Sequence, residues 1–161
     1  QYEKVSSLLN KPTDLAAAVE DLLNKKNALT KELEKMQRGQ LVSIKEDLKT
    51  KIQQVGGVNY ASAILELDGA LIKDLCFQLK GEVDNLVLVV GGKADGKATI
   101  SIAISEDLAK AKSWHAGNLV RESAKLIGGG GGGQPFFATA GGKDAGGLSK
   151  AIDHVRQTLA L

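Results

Sequence analysis

Apolar residues recur at spacings of three and four through the first third of the chain. Leu8 is followed, after a gap of seven, by Leu15, Val19, Leu22, Leu29, Leu33 and Met36. That spacing puts them on one narrow face of a helix, a heptad seam. Lys26 occupies a seam position, where a lysine sets register or oligomeric state at some cost in stability. Pro12 is placed near a helix start, behind Asn10 or Thr13-Asp14. Gly39 interrupts the pattern, and Leu41, Ile44, Leu48, Ile52 and Val55 predict a second helical stretch with Gly56 as its C-cap. The polar faces mix signs, as in Glu32-Lys35 and Glu46-Lys49, which marks solvated helix faces. A stripe this narrow cannot bury itself alone. Residues 1–56 are therefore read as a helical coiled-coil or hairpin arm. Its seam of Leu15, Val19, Leu22, Leu29, Leu33 and Met36 is expected to serve dimerisation.

After Gly57 the pattern changes. Asn59 to Leu67 reads as a strand, with helix as an alternative for part of it, and Ala70 to Lys80 as a helix carrying Leu71, Ile72, Leu75 and Leu79. Leu86 to Val90 (LVLVV) is a continuous apolar run, expected of a strand buried on both faces. Gly91-Gly92 and Asp95-Gly96 are turn signals. Ala98 to Ser105 (ATISIAIS) alternates as a strand should, so these two strands predict a hairpin. Ser105-Glu106-Asp107 reads as a helix start. Leu119, Val120, Ala124 and Ile127 give a helix ending at Gly128. Phe136 to Ala140 reads as one short strand, and Leu148, Ile152, Val155 and Leu159 as a closing helix. Strands alternating with helices over residues 57–161 predict a small α+β or α/β globular domain, helices packed on a sheet.

Between the last two helical patterns lies Gly128-Gly129-Gly130-Gly131-Gly132-Gly133-Gln134-Pro135-Phe136-Phe137. Six consecutive glycines carry a large ordering entropy, so a folded domain holds them only for a reason. Only about twenty residues follow, too few for a second domain. The run is therefore read as an ordered surface loop of the kind that binds ligands.

Charge adds little: the chain carries a formal +2. Residues 57–161 hold 11 basic and 11 acidic side chains, and residues 1–56 hold 10 and 8. Any electrostatic footprint on the globular part must be a local patch. Cys76 is alone in an apolar stretch, which fits a core thiol and a reducing, cytoplasmic setting. No apolar run is long enough to span a membrane. The chain opens on Gln1 without a signal-like stretch and is read as a piece of something longer.

The chain offers few residues in arrangements that carry catalytic chemistry. The glycine run is followed by Gln134-Pro135, not by the lysine of a P-loop. His115 and His154 have no neighbours at metal-ligand spacing. Ser123 and Ser149 lack a nucleophile elbow. Glu106-Asp107 and Asp144 read as caps and solvated faces. No catalytic residue and no metal site is expected in this chain.

The order LVLVVGG, ATISIAISEDL, AGNLVRESAKLI, GGGGGGQPFFATAGGKDAGGLSKAI resembles the C-terminal region of alanyl-tRNA synthetases. That region ends in the DHH-associated domain shared with RecJ-like phosphoesterases and alanyl-editing proteins. The family pattern G-G-x-G-G-G-R-P-x-x-A-x-x-G-G is matched here by Gly128, Gly129, Gly131, Gly132, Gly133, Pro135, Ala138, Gly141 and Gly142. Ala116-Gly117 matches a second, weaker pattern, and the resemblance covers about Val58 to Leu161. Gln134 stands where the family usually has arginine, which removes a fixed bidentate phosphate donor. Thr139 stands where glutamine is common.

The resemblance implies a non-catalytic tRNA-binding appendage, whose ligand is tRNA-Ala, with a dimerising helical part. The contact implied is the outer corner of the tRNA, where the D and T loops meet. The RNA-binding residues implied are Gly128 to Gly133 (Gly130 among them), Gln134, Phe136, Thr139, Gly141, Gly142, Lys125 and Lys143, with Lys150 nearby. Of Phe136 and Phe137, strand alternation points one outward for stacking and the other into the core. No cofactor is implied for this chain; the parent synthetase would use ATP with magnesium, and zinc in its editing domain. Two other readings stand beside this one: the nucleic-acid-binding end of a DHH-type phosphoesterase, and a purely structural oligomerisation module.

Overall fold

A computed structural model describes residues 2–10 and 12–161. The chain forms two compact units, Gln1–Val42 and Ser43–Leu161. The first contains α1 (Tyr2–Leu8) and most of α2 (Leu15–Thr50). Helix α2 runs for 36 residues without a break at Gly39. A Cβ at Gly39 would meet nothing within 4 Å, so this glycine costs only its propensity, about 1 kcal/mol. Good helix formers on both sides carry the helix through it.

The second unit starts with the C-terminal end of α2, where Leu48 is buried. Lys45 Nζ meets the Glu82 carboxylate at 2.6 Å, and Lys49 reaches its other oxygen. The hydrogen bond from Lys45, with that from Lys49, holds the Glu82 carboxyl below its usual range. Glu82 is exposed and the two lysines are half-buried at the surface, so the cluster adds only modestly to stability. The helix does not reach Val55 as the apolar spacing predicted. Gln53–Val55 is instead strand β1, and Gly56-Gly57, both at positive φ, turn it back into β2 (Val58–Leu65). Two consecutive positive-φ residues suit the tight hairpin turn, so the Gly-Gly pair marks a hairpin rather than a helix cap.

The sheet has the order β1-β2-β3-β4-β6-β5. Strand β3 (Leu86–Ala94) runs parallel to β2, with α3 (Gly69–Glu82) as the crossover. The other pairs are antiparallel, β3 with β4 (Lys97–Ile104), β4 with β6 (Phe137–Gly142), and β6 with β5 (Gly130–Gly133). Helices α4 (Glu106–Ala111), α5 (Ala116–Lys125) and α6 (Leu148–Thr158) complete an α+β unit.

The core lies on both faces of the sheet. Ile100, Ile102 and Ile104 of β4 share one cluster with Val120, Ala124, Ile152 and Val155 of α5 and α6. On α3, Ile72, Leu75, Cys76 and Leu79 are buried. The LVLVV run is wholly buried, as its sequence predicts.

Gly91-Gly92 is not a turn. Both residues lie inside β3, and a Cβ on Gly92 would come 2.4 Å from Ile72 Cδ1. Glycine here admits α3 against the strand. The turn belongs to Asp95-Gly96 alone, at φ +49° and +71°.

Burial pushes the Cys76 thiol up to about 12. Iodoacetamide at pH 8 is expected to leave native Cys76 unmodified and to alkylate it fully in denaturant, so labelling follows unfolding. The thiol is held protonated in the fold. Its contribution to stability is therefore complete below the ordinary value of 9.0 and is lost as pH climbs towards 12.

Candidate nucleic-acid interface

The six-glycine run is mostly strand, not loop. Gly130 to Gly133 pair with Gly141, Ala140, Thr139 and Ala138 in turn, forming the outer edge of the sheet. Glycine is a poor strand former, so the pairing has to be secured from its ends. At the entry, Gly128 takes φ +62°, and Gly129 N–H donates to Ala124 O at 2.9 Å. Ile127 O accepts from both Lys143 N–H and Asp144 N–H.

At the exit, Gln134 N–H donates to Phe137 O at 2.8 Å across a two-residue turn, Pro135-Phe136. Pro135 O accepts from Ala116 N–H at the start of α5, and Phe136 O accepts from Ile104 N–H of β4, each at 2.9 Å. The glycine strand is thus tied to a helix at one end and to a helix and a core strand at the other.

The glycines fall into two sets. A Cβ on Gly129 would lie 1.8 Å from Gly141 O, on Gly131 2.2 Å from Thr139 O, and on Gly133 2.5 Å from Phe137 O. These three rest directly on the backbone of β6 and exclude any side chain. Gly132 instead faces the Arg121 guanidinium, 3.6 Å from where its Cβ would stand. Gly130 and its cross-strand partner Gly141 are exposed, have ordinary φ, and would place a Cβ in open space. Nothing inside the chain requires glycine at either position.

Beside this pair is a groove of about 340 Å³ lined by Gly128, Gly129, Gly141, Gly142, Thr99, Lys97 and Lys143. Of the lysines expected from sequence, Lys143 is at the groove. Lys125 and Lys150 are exposed elsewhere, on α5 and α6. Lys97 and Arg121 were missed. Both are brought to the glycines by strand register and helix packing, which local pattern does not encode. Thr139 is exposed, and its hydroxyl is shared with Ser101 Oγ at 3.0 Å. The Gln134 side chain is exposed at the hairpin turn.

The two phenylalanines do not divide as strand alternation predicted. Phe136 sits in the turn, where alternation does not apply, and both rings are half-buried. Phe137 meets Phe77 of α3 at 5.0 Å between centroids. Lys80 Nζ lies 4.4 Å from the Phe136 ring and 5.2 Å from Phe77. Part of the expected stacking surface is therefore covered by an ammonium group. Phe136 also helps line a largely apolar pocket of about 430 Å³ with Pro135, Trp114, His115 and Lys110. His115 Nδ1 is buried there without a hydrogen-bond partner.

Of the expected dimerisation residues, Leu15 is half-buried. Val19, Leu22, Leu29, Leu33 and Met36 are exposed on α2, at 38, 55, 65, 56 and 63 %. Among the described residues, no cluster of three or more His, Cys, Asp or Glu is placed to hold a metal, and no helix is long and apolar enough to cross a membrane.

Residues 56–161 match the DHHA1 domain model, and the chain belongs to that family. Its likeness extends through the arm to alanine–tRNA ligases. The enzyme of Christiangramia forsetii is 42% identical over 150 residues, 93% of this chain and 17% of that protein. The enzyme of Bacteroides thetaiotaomicron is 40% identical over 159 residues, 98% of this chain and 18% of that protein. The chain thus spans about a sixth of the length of these relatives, and corresponds to the C-terminal domain of an alanyl-tRNA synthetase. In fold it is similar to the C-Ala domain of Aquifex aeolicus alanyl-tRNA synthetase, with a TM-score of 0.62 at 22% identity, covering 69% of this chain and 99% of that one.

Proposed function

We propose that this chain is the tRNA-binding and dimerising region of a cytoplasmic alanine–tRNA ligase, holding the outer corner of tRNA-Ala while upstream domains perform aminoacylation and editing. The observation that carries the reading is the Gly130–Gly141 pair: two exposed glycines, paired across the sheet edge, with no internal reason to be glycine. A bare backbone lets sugar and phosphate approach the N–H groups of an unpaired edge strand. Lys97, Lys143 and Arg121 stand beside it to meet phosphates. The apolar seam of α2 supports pairing with a second copy. The ATP, magnesium and zinc chemistry of the ligase would lie outside this chain.

Three cations predict modest affinity and a shallow salt response, with log K falling by about 2 to 3 per decade of salt. The test is an anisotropy titration with labelled tRNA-Ala, an unrelated tRNA and a plain RNA duplex at two salt concentrations. Binding to both tRNAs well above the duplex supports recognition of the shared corner. Absence of binding to any RNA at low salt would sink the reading. Trp114, the only tryptophan, lines the pocket beside Phe136. Its fluorescence should change with the same titration midpoint.

A further inference from the structure

We propose that the second copy lies antiparallel along α2, with the two-fold axis midway between Lys26 and Leu29, so that Lys25 of each chain meets the partner's Glu32. This rests on the reading of the arm as a dimerisation element and specifies its geometry.

The seam assigns Val19, Lys26, Leu33 and Gln40 to a positions and Leu15, Leu22, Leu29 and Met36 to d positions. Lys25 and Glu32 then fall on the flanking g positions, and Leu23, Thr30 and Gln37 on the e positions. The described seam residues lie on one unbroken helix, and the apolar ones from Val19 to Met36 are exposed.

A closed two-fold dimer admits few arrangements. If the helices run parallel they must be in register, and each a residue then faces itself. Lys26 would meet Lys26 in the seam. The flanking contacts would be Lys25 with Thr30 and Glu32 with Gln37, with no attraction between opposite charges.

If they run antiparallel, a positions face d positions, and four registers place Lys26 opposite an apolar residue. Opposite Leu15, the register leaves Leu29, Leu33 and Met36 beyond the start of the partner's α2. Opposite Leu22, the register brings Lys25 against Lys25 and leaves Met36 without an apolar partner. Opposite Met36, it brings Glu32 against Glu32 and sets Leu22 against Gln40. Opposite Leu29, it matches Val19 with Met36 and Leu22 with Leu33, each twice. It also places Lys25 against Glu32 on both flanks. Only this register covers all five exposed seam residues and pairs opposite charges.

The Lys26 stem can lie along the partner's Leu29 with its ammonium in water. Lys25 now bonds Asp21 of its own helix at 2.7 Å, both side chains more than half exposed. So weak a surface pair is readily exchanged.

The experiment begins with sedimentation of the unmodified chain over a concentration series, which tests dimerisation itself. Orientation is read from oxidative cross-linking of Leu22→Cys and Leu33→Cys variants, with native Cys76 buried and out of reach. In the proposed dimer, mixing the two variants gives disulfide-linked dimer at least about tenfold faster than either alone, since interfacial contacts require matched geometry. Dimerisation accompanied by efficient self-linking of each variant alone would overturn the antiparallel register while leaving the dimer standing. A chain that stays monomeric at every concentration would overturn both. Lys25→Glu should weaken the dimer about tenfold, and adding Glu32→Lys should restore it to within about threefold, because the pair sits on both flanks. An unaffected Lys25→Glu variant, or failure of the double variant to recover, would overturn the charge pairing.

Discussion

Gly129→Ala should destabilise the globular unit by about 3 kcal/mol or more. The added methyl would lie 1.8 Å from Gly141 O and 2.5 Å from Gly142 Cα. Both obstacles are backbone, so no side-chain rotation relieves them. The only relief is for β5 to lift away from β6, which forfeits their hydrogen bonds and disturbs the ties from Ile127 O to Lys143 and Asp144. Total stabilities of domains this size are about 5–15 kcal/mol, so the loss is a large fraction. Urea unfolding measures it directly. A midpoint within error of wild type would show that the strand pairing contributes little and that the glycines are held by something else.

Gly130→Val and Gly141→Val should do the opposite to stability and much more to binding. Each side chain would extend into open space from an ordinary strand conformation. Replacing a strand glycine by a β-branched residue relieves the entropy that glycine loses on folding, so the melting temperature should hold or rise by an amount corresponding to about 0.5 kcal/mol. If RNA lies on this pair, the isopropyl group holds its backbone off the edge strand and removes several close contacts together. tRNA affinity should then fall at least about tenfold, or ~1.4 kcal/mol, in the anisotropy titration. Variants that keep full affinity would move the RNA contact away from the glycine pair, whatever their stability. The contrast between Gly129 and Gly130, neighbours in sequence, separates the two reasons a glycine can be kept: to fit the protein, or to leave room for something outside it.

The elements with strong periodicity were legible in the sequence. LVLVV, ATISIAIS and the amphipathic helices α3, α5 and α6 form where their patterns predict. Misreadings collected at glycine, because one residue type serves several ends. Gly39 sits in a helix it was expected to break, Gly91-Gly92 in a strand it was expected to end, and Gly56 in a hairpin it was expected to precede as a cap. A tertiary contact decides Gly92, against Ile72, whereas Gly39 is carried by its helical neighbours and Gly56 by the positive φ of a hairpin turn.

The glycine run was the same problem at larger scale. Its partner β6 has a sequence, FATAGG, too small and mixed to announce pairing, and the backbone contacts that demand glycine are between strands. Of the residues expected from sequence, Gly128, Gly129, Gly141, Gly142 and Lys143 come together at the candidate groove, while Gln134 lies at the hairpin turn. Lys97 and Arg121 were not expected, since Lys97 reaches the groove by sheet register and Arg121 meets the glycines by helix packing. Ordering entropy marks the glycines in the sequence, and their contacts divide them into two sets.

An open sheet edge usually invites other chains to extend it, and proteins guard against this with charge, bulges or short strands. Strand β5 is four residues long and carries no side chains at all. A neighbouring strand pairing there would gain hydrogen bonds but no interdigitated side chains, and the dry zipper that locks aggregates together could not form. The edge therefore presents open backbone hydrogen-bonding groups while offering no lasting grip to a misfolded copy.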